Sequence, residues 1–123
     1  MTAEPVRLLW ERMEARDWDA VAAQLHEDVV VDWPNTGERM RGRENYLAVQ
    51  REYPEGWHVH VLRIVDGGNS VVSEVRVDHE GKRFFVASFF EIEDGRIARA
   101  VEYWSDGEPE RPPEWRAPWT EPL

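Results

Sequence analysis

Two strand-like runs meet at Asp94-Gly95, and the hairpin they form constrains this chain more than any other stretch. From Phe84 to Trp104 it reads Phe-Phe-Val-Ala-Ser-Phe-Phe-Glu-Ile-Glu-Asp-Gly-Arg-Ile-Ala-Arg-Ala-Val-Glu-Tyr-Trp. Asp-Gly takes the positive φ that a tight two-residue hairpin turn needs. The first run alternates with period two. Phe84, Val86, Ser88, Phe90 and Ile92 share one face, and Phe85, Ala87, Phe89, Glu91 and Glu93 the other. In the second run Ala98, Ala100, Glu102 and Trp104 lie opposite Arg99, Val101 and Tyr103. A carboxylate between a small residue and a Trp, inside the most hydrophobic hairpin of the chain, is the first place to look for chemistry.

The rest of the chain supplies what the hairpin packs against. Glu4 to Arg16 reads as an amphipathic helix, with Val6, Leu9, Trp10 and Met13 at i, i+3, i+4 and i+7. Asp17 is a good N-cap for a second helix from Trp18 to about His26. Val29 to Trp33 is a short strand stopped by Pro34, and Asn35-Thr36-Gly37 is a turn. Gly42 to Tyr53 reads as a third helix halted by Pro54, with Tyr46, Leu47 and Val49 as a weaker apolar stripe. Trp57 to Val65 and Ser70 to His79 are strands. The order predicts an α+β fold: a strongly curved antiparallel sheet, forming a cone wrapped around N-terminal helices. Such a cone encloses an internal pocket, apolar with a few placed polar groups. The cone is expected over residues 1–107. Residues 108–123 form a Pro- and Trp-rich tail, extended by its prolines and expected to dock through Trp115 and Trp119.

Composition excludes several classes. The 123 residues suit one domain, and without Cys neither disulfides nor thiolate metal sites are available. A formal charge of -10 argues against nucleic acid and anionic membrane as partners. No apolar run approaches a membrane span. The start Met1-Thr2-Ala3-Glu4-Pro5 has no basic n-region or h-region, so the expected location is cytoplasmic.

Four segments share their order and spacing with a known superfamily: Asp28-Val-Val-Val-Asp-Trp-Pro34, Gly42-Arg-Glu-Asn-Tyr46, Glu91-Ile-Glu-Asp-Gly-Arg-Ile97 and Glu102-Tyr-Trp-Ser-Asp106. Over about residues 4 to 107 the chain resembles the SnoaL-like polyketide cyclases and the ketosteroid isomerases, of the nuclear transport factor 2-like superfamily. The resemblance implies the cone fold. It does not carry over the isomerase mechanism. The isomerase general base, an Asp directly before the Pro of the first strand, corresponds to Trp33. The Tyr donor of the first helix corresponds to Leu9, and the protonated Asp donor to Ser88. A carbonyl polarised by two donors and deprotonated by a carboxylate is absent in that arrangement.

By the same alignment, the face bearing Glu102 lines the family pocket. Desolvation there raises a carboxyl toward neutrality and suits it to general acid–base work. The alternative is a Glu paired with Arg96 or Arg99, or solvated at the sheet edge. SnoaL-like cyclases are taken to use a His and an Asp as an acid–base pair, and His58 or His60 with Glu102 would be similar in kind. Both histidines point the same way, and the opposite face, Trp57, Val59, Val61 and Val65, competes for the inside. The expected catalytic set is Glu102, His60 and His58. The expected pocket wall is Leu9, Met13, Trp18, Trp33, Val71, Ser73, Ser88, Phe90, Ala100 and Trp104, suited to a small apolar or polycyclic molecule. His-x-His finds no third ligand at suitable spacing, so no metal and no cofactor are expected.

Three readings follow. The first is an acid–base lyase, isomerase or cyclase acting on an apolar carbonyl or polyketide-like compound. The second is a binding protein in which no proton moves. The third is a dimeric interaction module, a homodimer through the outer sheet face bearing Phe85, Phe89, Val101 and Tyr103.

Overall fold

The structure, a computed structural model, describes residues 2–123. Helix α1 (Glu4–Glu14) carries Pro5 in its first turn and buries Val6, Leu9, Trp10 and Met13. It stops at Arg16, whose φ of 58° cannot continue a helix. The Arg16 guanidinium lies 3.3 Å above the Trp57 ring and donates to the Trp57 carbonyl at 2.6 Å. Helix α2 (Trp18–Ala23) is capped by Asp17, whose side chain accepts from the Ala20 N–H at 3.2 Å. Next come β1 (Leu25–Trp33), β2 (Glu38–Arg41) and α3 (Arg43–Glu52), then four long strands: β3 (Trp57–Gly67), β4 (Ser70–His79), β5 (Lys82–Glu93) and β6 (Arg96–Asp106).

The six strands form one sheet in the order β2-β1-β6-β5-β4-β3. The opening hairpin turns where its sequence predicts, but a register shift beside the turn skips Ala98, expected on the face of Ala100, and Ile97 pairs with Ile92 instead. Glu93 faces Arg96, and Asp94 and Gly95 both have positive φ, 49° and 73°. All neighbours are antiparallel except β1, which runs parallel to β6. The helices cover the inner face, and the core joins Val6, Leu9 and Val21 to Val29, Val31, Val71, Val75, Val86, Phe90 and Ile97.

Three local expectations are corrected. The strand β2 is not anticipated, because Glu-Arg-Met-Arg buries a single side chain, Met40, and carries no strand pattern. The second helix ends at Ala23 rather than near His26, and β1 begins at Leu25 rather than Val29. Leu25 is drawn opposite Ile97, and the Ile97 N–H donates to the Gln24 carbonyl at 2.8 Å, so tertiary pairing overrides helical propensity. The tail does not dock on its own cone: its one regular element is a 3-10 turn, Glu114–Trp119, with Trp115 72% and Trp119 79% exposed. Its root is fixed, since the Gly107 N–H donates to the Arg83 carbonyl at 2.6 Å and a Cβ on Gly107 would lie 2.1 Å from that oxygen.

Leu25 and Ile97 lock the parallel junction, and both are almost fully buried. Ile97→Ala should lower the unfolding free energy by about 2–5 kcal/mol, read by urea denaturation at constant m-value. A loss below about 1 kcal/mol would show that this junction repacks freely.

Candidate functional site

Register turns the inner face of the sheet into rows. Val71, Phe90, Ala100 and Val31 lie side by side across β4, β5, β6 and β1. Two residues along, the row is Ser73, Ser88 and Glu102; two further, Val75, Val86 and Trp104. A polar row therefore crosses the sheet between two apolar ones, and its members are 0%, 0% and 2% exposed. Buried polar groups need partners, and these have them. Trp10 of α1 donates through Nε1 to Ser73 Oγ at 3.1 Å. Ser88 Oγ donates to Glu102 Oε2 at 2.6 Å, and Trp33 Nε1 donates to Glu102 Oε1 at 2.9 Å. Each carboxylate oxygen has one protein donor and keeps acceptor capacity for a second.

Glu102 opens onto a cavity of about 210 Å³. Helix α1 contributes Trp10 and Met13, α3 contributes Tyr46 and Gln50, and the facing ends of β3 and β4 contribute Trp57, Val59, Val77 and His79. Phe84 and Trp104 complete the sheet wall. Trp33, Asn35, Thr36 and Tyr53 stand at the helix-and-turn side. Asn35 ties that turn to the sheet, since its Oδ1 accepts from the Trp104 N–H at 2.8 Å. The Trp33 and Trp104 rings meet edge to face at 5.9 Å. Among the described residues no Lys or Arg lines the cavity. The indole N–H groups of Trp57 and Trp104 are buried without an acceptor.

This environment sets the acidity of Glu102 and Tyr46, both of which line the cavity. Burial pushes Glu102 above the ordinary carboxyl value of 4.5, and the hydrogen bonds from Ser88 and Trp33 hold part of that rise back. Burial, and then the charge of Glu102, push the Tyr46 phenol well above its usual 10.0, so it stays a hydroxyl. Tyr46 is 3% exposed, lines the cavity, and has no hydrogen-bond partner among the described residues. The site therefore combines a carboxyl of raised proton affinity with a neutral hydroxyl.

The expected residues divide. Glu102, Met13, Trp33 and Trp104 line the cavity as expected from sequence. Ser88 and Ser73 lie on the same face but behind the wall: one holds Glu102 and the other Trp10. Val71, Phe90 and Ala100 are core rather than cavity wall, because their row lies beyond the polar one, and Leu9 of α1 packs in the same core. Trp18 is part-buried against Trp57, ring to ring at 6.4 Å, and does not reach the cavity. His58 and His60 are not at the site. They point away from the cavity, His58 to Glu14 at 3.0 Å and His60 to Asp78 at 3.2 Å. Trp57 and Val59, on the other parity of β3, take the inside. The anticipated partners Arg96 and Arg99 do not pair with Glu102; Arg99 bonds Asp32 at 3.0 Å. His79 also lines the cavity, its ring 5.8 Å from that of Tyr53. The main omission is Tyr46, which the sequence marks only by its place in the α3 apolar stripe and at the end of the Gly42–Tyr46 segment.

A family model of the SnoaL-like domain matches residues 6–100. The chain belongs to the SnoaL-like family. Solved structures agree with this SnoaL-like assignment. A candidate ketosteroid isomerase from Kribbella flavida DSM 17836 is 32% identical with a TM-score of 0.93, over 99% of this chain and 89% of that one. A candidate polyketide cyclase from Xanthomonas campestris pv. campestris is 28% identical with a TM-score of 0.68, over 83% and 88%. An LEH-like epoxide hydrolase from M. tuberculosis is 25% identical with a TM-score of 0.71, over 85% and 82%. A search of curated proteins returned no match. Among the described residues of the SnoaL-like chain no helix is long and apolar enough to cross a membrane.

The raised proton affinity of Glu102 makes stability depend on pH with a definite sign. Between 4.5 and its higher folded value, the folded state holds the Glu102 proton and the unfolded state has lost it. Stability from this group therefore falls as pH rises through that window and is level above it. Glu102→Gln, nearly isosteric, should abolish this fall. Urea unfolding of both proteins from pH 4 to 8 gives the difference curve, and parallel curves would mean that Glu102 titrates normally in the fold.

Proposed function

We propose that the cavity is the active site of a small acid–base enzyme acting on an apolar carbonyl compound of polyketide-like type. The observation that carries this reading is Glu102: a carboxyl buried among indoles, held at both oxygens and still open to the cavity. Ionised Glu102 takes a proton from the carbon beside a carbonyl. The C–H electron pair moves into the enolate, and the enolate oxygen accepts a hydrogen bond from the Tyr46 hydroxyl. Glu102, now protonated, returns the proton to another carbon, which isomerises the compound. Alternatively the enolate carbon adds to a second carbonyl of the same molecule, and Glu102 protonates the new alkoxide, which closes a ring. The lack of a cation on the wall favours a neutral ligand.

A second reading is a ligand-binding protein without turnover. It is favoured by the replacement of the three isomerase groups with Trp33, Leu9 and Ser88. Its signature is quenching of Trp emission by a compound recovered with unchanged mass.

The enzyme reading is tested on polyketide-derived ketones, with products identified by mass spectrometry. On a converted compound, Glu102→Gln should lower kcat by about 10²-fold or more. Tyr46→Phe should lower it about 10²-fold while leaving the fold intact. In the intact enzyme the rate should rise with pH along a limb above 4.5, because the base form of a carboxyl with raised proton affinity is required. Unchanged kcat in the Gln variant would remove Glu102 from the chemistry.

A further inference from the structure

Glu102 is a buried carboxylate without a counter-ion. Its two oxygens are held by Ser88 Oγ at 2.6 Å and Trp33 Nε1 at 2.9 Å, and both donors are neutral. The arginines of the flanking strands are engaged elsewhere, Arg39 and Arg99 both with Asp32. Among the described residues no Lys or Arg lines the cavity. The one basic side chain on the wall is His79, whose Nε2 donates to the Glu55 carbonyl at 3.3 Å. Buried charges are ordinarily matched by an opposite charge. The cavity therefore holds half of an ion pair, on a side chain 2% exposed and facing an internal space of about 210 Å³.

The wall supplies what the missing half would touch. Trp10, Trp33, Tyr53, Phe84 and Trp104 all line the cavity. The Trp33 and Trp104 rings stand at 78° to each other with centroids 5.9 Å apart. Two rings so arranged make a corner, in which a guest meets the negative π-face of both. Trp33, one side of that corner, is also the residue bonded to Glu102, so carboxylate and ring faces lie side by side. Trp57 already uses a ring face in this way, on the Arg16 guanidinium at 3.3 Å.

The polar atoms of the wall narrow the kind of cation. A metal ion or a primary ammonium needs several oxygen acceptors around it. Glu102 is the one carboxylate on the wall, Asn35 Oδ1 is committed to the Trp104 N–H, and the described residues contain no cluster suited to a metal ion. An ammonium whose hydrogens are replaced by alkyl groups needs no such acceptors; ring faces and one opposite charge suffice. A wall without Lys or Arg disfavours anions and admits neutral compounds, and the unmatched carboxylate extends the choice to positive ones. The chain's formal charge of -10 draws cations toward it.

We propose that the cavity binds a small quaternary ammonium compound, its charge opposite Glu102 and its alkyl groups against the faces of Trp33 and Trp104. This goes beyond the enzyme reading and does not require it, since binding uses the Glu102 charge and moves no proton.

Isothermal titration of the full chain at mildly alkaline pH tests this, with choline as the probe and its uncharged carbon isostere, 3,3-dimethylbutan-1-ol, as the comparison. Choline should bind about tenfold or more tightly than the isostere. Glu102→Gln should weaken choline about tenfold or more and leave the isostere within about threefold, because only the charged guest meets the carboxylate. Trp104→Leu leaves Glu102 and both its donors in place, and should weaken choline about tenfold and the isostere less. Melting temperatures check that each variant folds, and Phe84→Leu takes the place of Trp104→Leu if that one does not. Equal affinity for choline and the isostere would overturn the proposal. So would an unchanged preference for choline in the Gln variant, or a choline titration without saturable heat. None of these outcomes depends on ketone turnover, which tests the enzyme reading separately.

Discussion

Everything at the site depends on one carboxyl kept out of water. Glu102 lies in a polar row between two apolar rows of the same sheet face, and burying a charge there costs several kcal/mol unless hydrogen bonds offset it. The fold offsets it from two directions. Ser88 comes from the neighbouring strand by sheet register, and Trp33 from the end of the one strand that runs parallel. That parallel strand is an oddity in an otherwise antiparallel sheet. It brings the β1 end, with Trp33 and the turn that follows, to the strand that carries the acid. The local fold and the acidity of the group are thus one problem with one solution.

The apolar rows do a different job. Val71, Phe90 and Ala100 fill one end of the cone, and Val75 and Val86 back the other. With Ser73 and Trp10 paired to each other, the polar row has no loose end on that side. The cavity begins only where α1, α3 and the β3–β4 ends diverge. Its walls are large and flat because they are chiefly indole and phenol rings, and its chemistry is confined to the few polar atoms that reach through them.

How much of this could be read in the sequence differs by element. The hairpin was legible over most of its length because Asp-Gly fixes the turn and period two then sorts the side chains, except beside the turn, where a register shift skips Ala98 and turns Ile97 inward. Period two put Ala100, Glu102 and Trp104 on one face and Ser88 with Phe90 on another, and the family resemblance implied that the face of Glu102 is the inner one. Strand β3 was not legible in the same way. The register shifts between Val61 and Arg63, so Trp57, Val59 and Val61 face inward, but the next inward residue is Ile64 and Val65 falls outside. Period counting through a bulge misplaces residues, and the parity of His58 and His60 could not be fixed from the pattern alone. Depth was equally hidden. Leu9, Val71 and Phe90 lie on the correct face, yet whether a face residue meets the cavity or the core depends on where the helices stand apart. Tyr46 was missed because it comes from α3, whose weak stripe does not reveal which of its side chains the cone encloses.

The Asn35 side chain does more than close a turn. It fastens the loop after β1 to the backbone of Trp104, while two residues earlier Trp33 holds Glu102. The loop at the rim and the acid at the floor are geared together. A guest large enough to push the loop outward would also draw the Trp33 indole from the carboxyl, and losing that donor tightens the grip of Glu102 on its proton. Admission and acidity would then move on one lever, with the empty site holding the more acidic group.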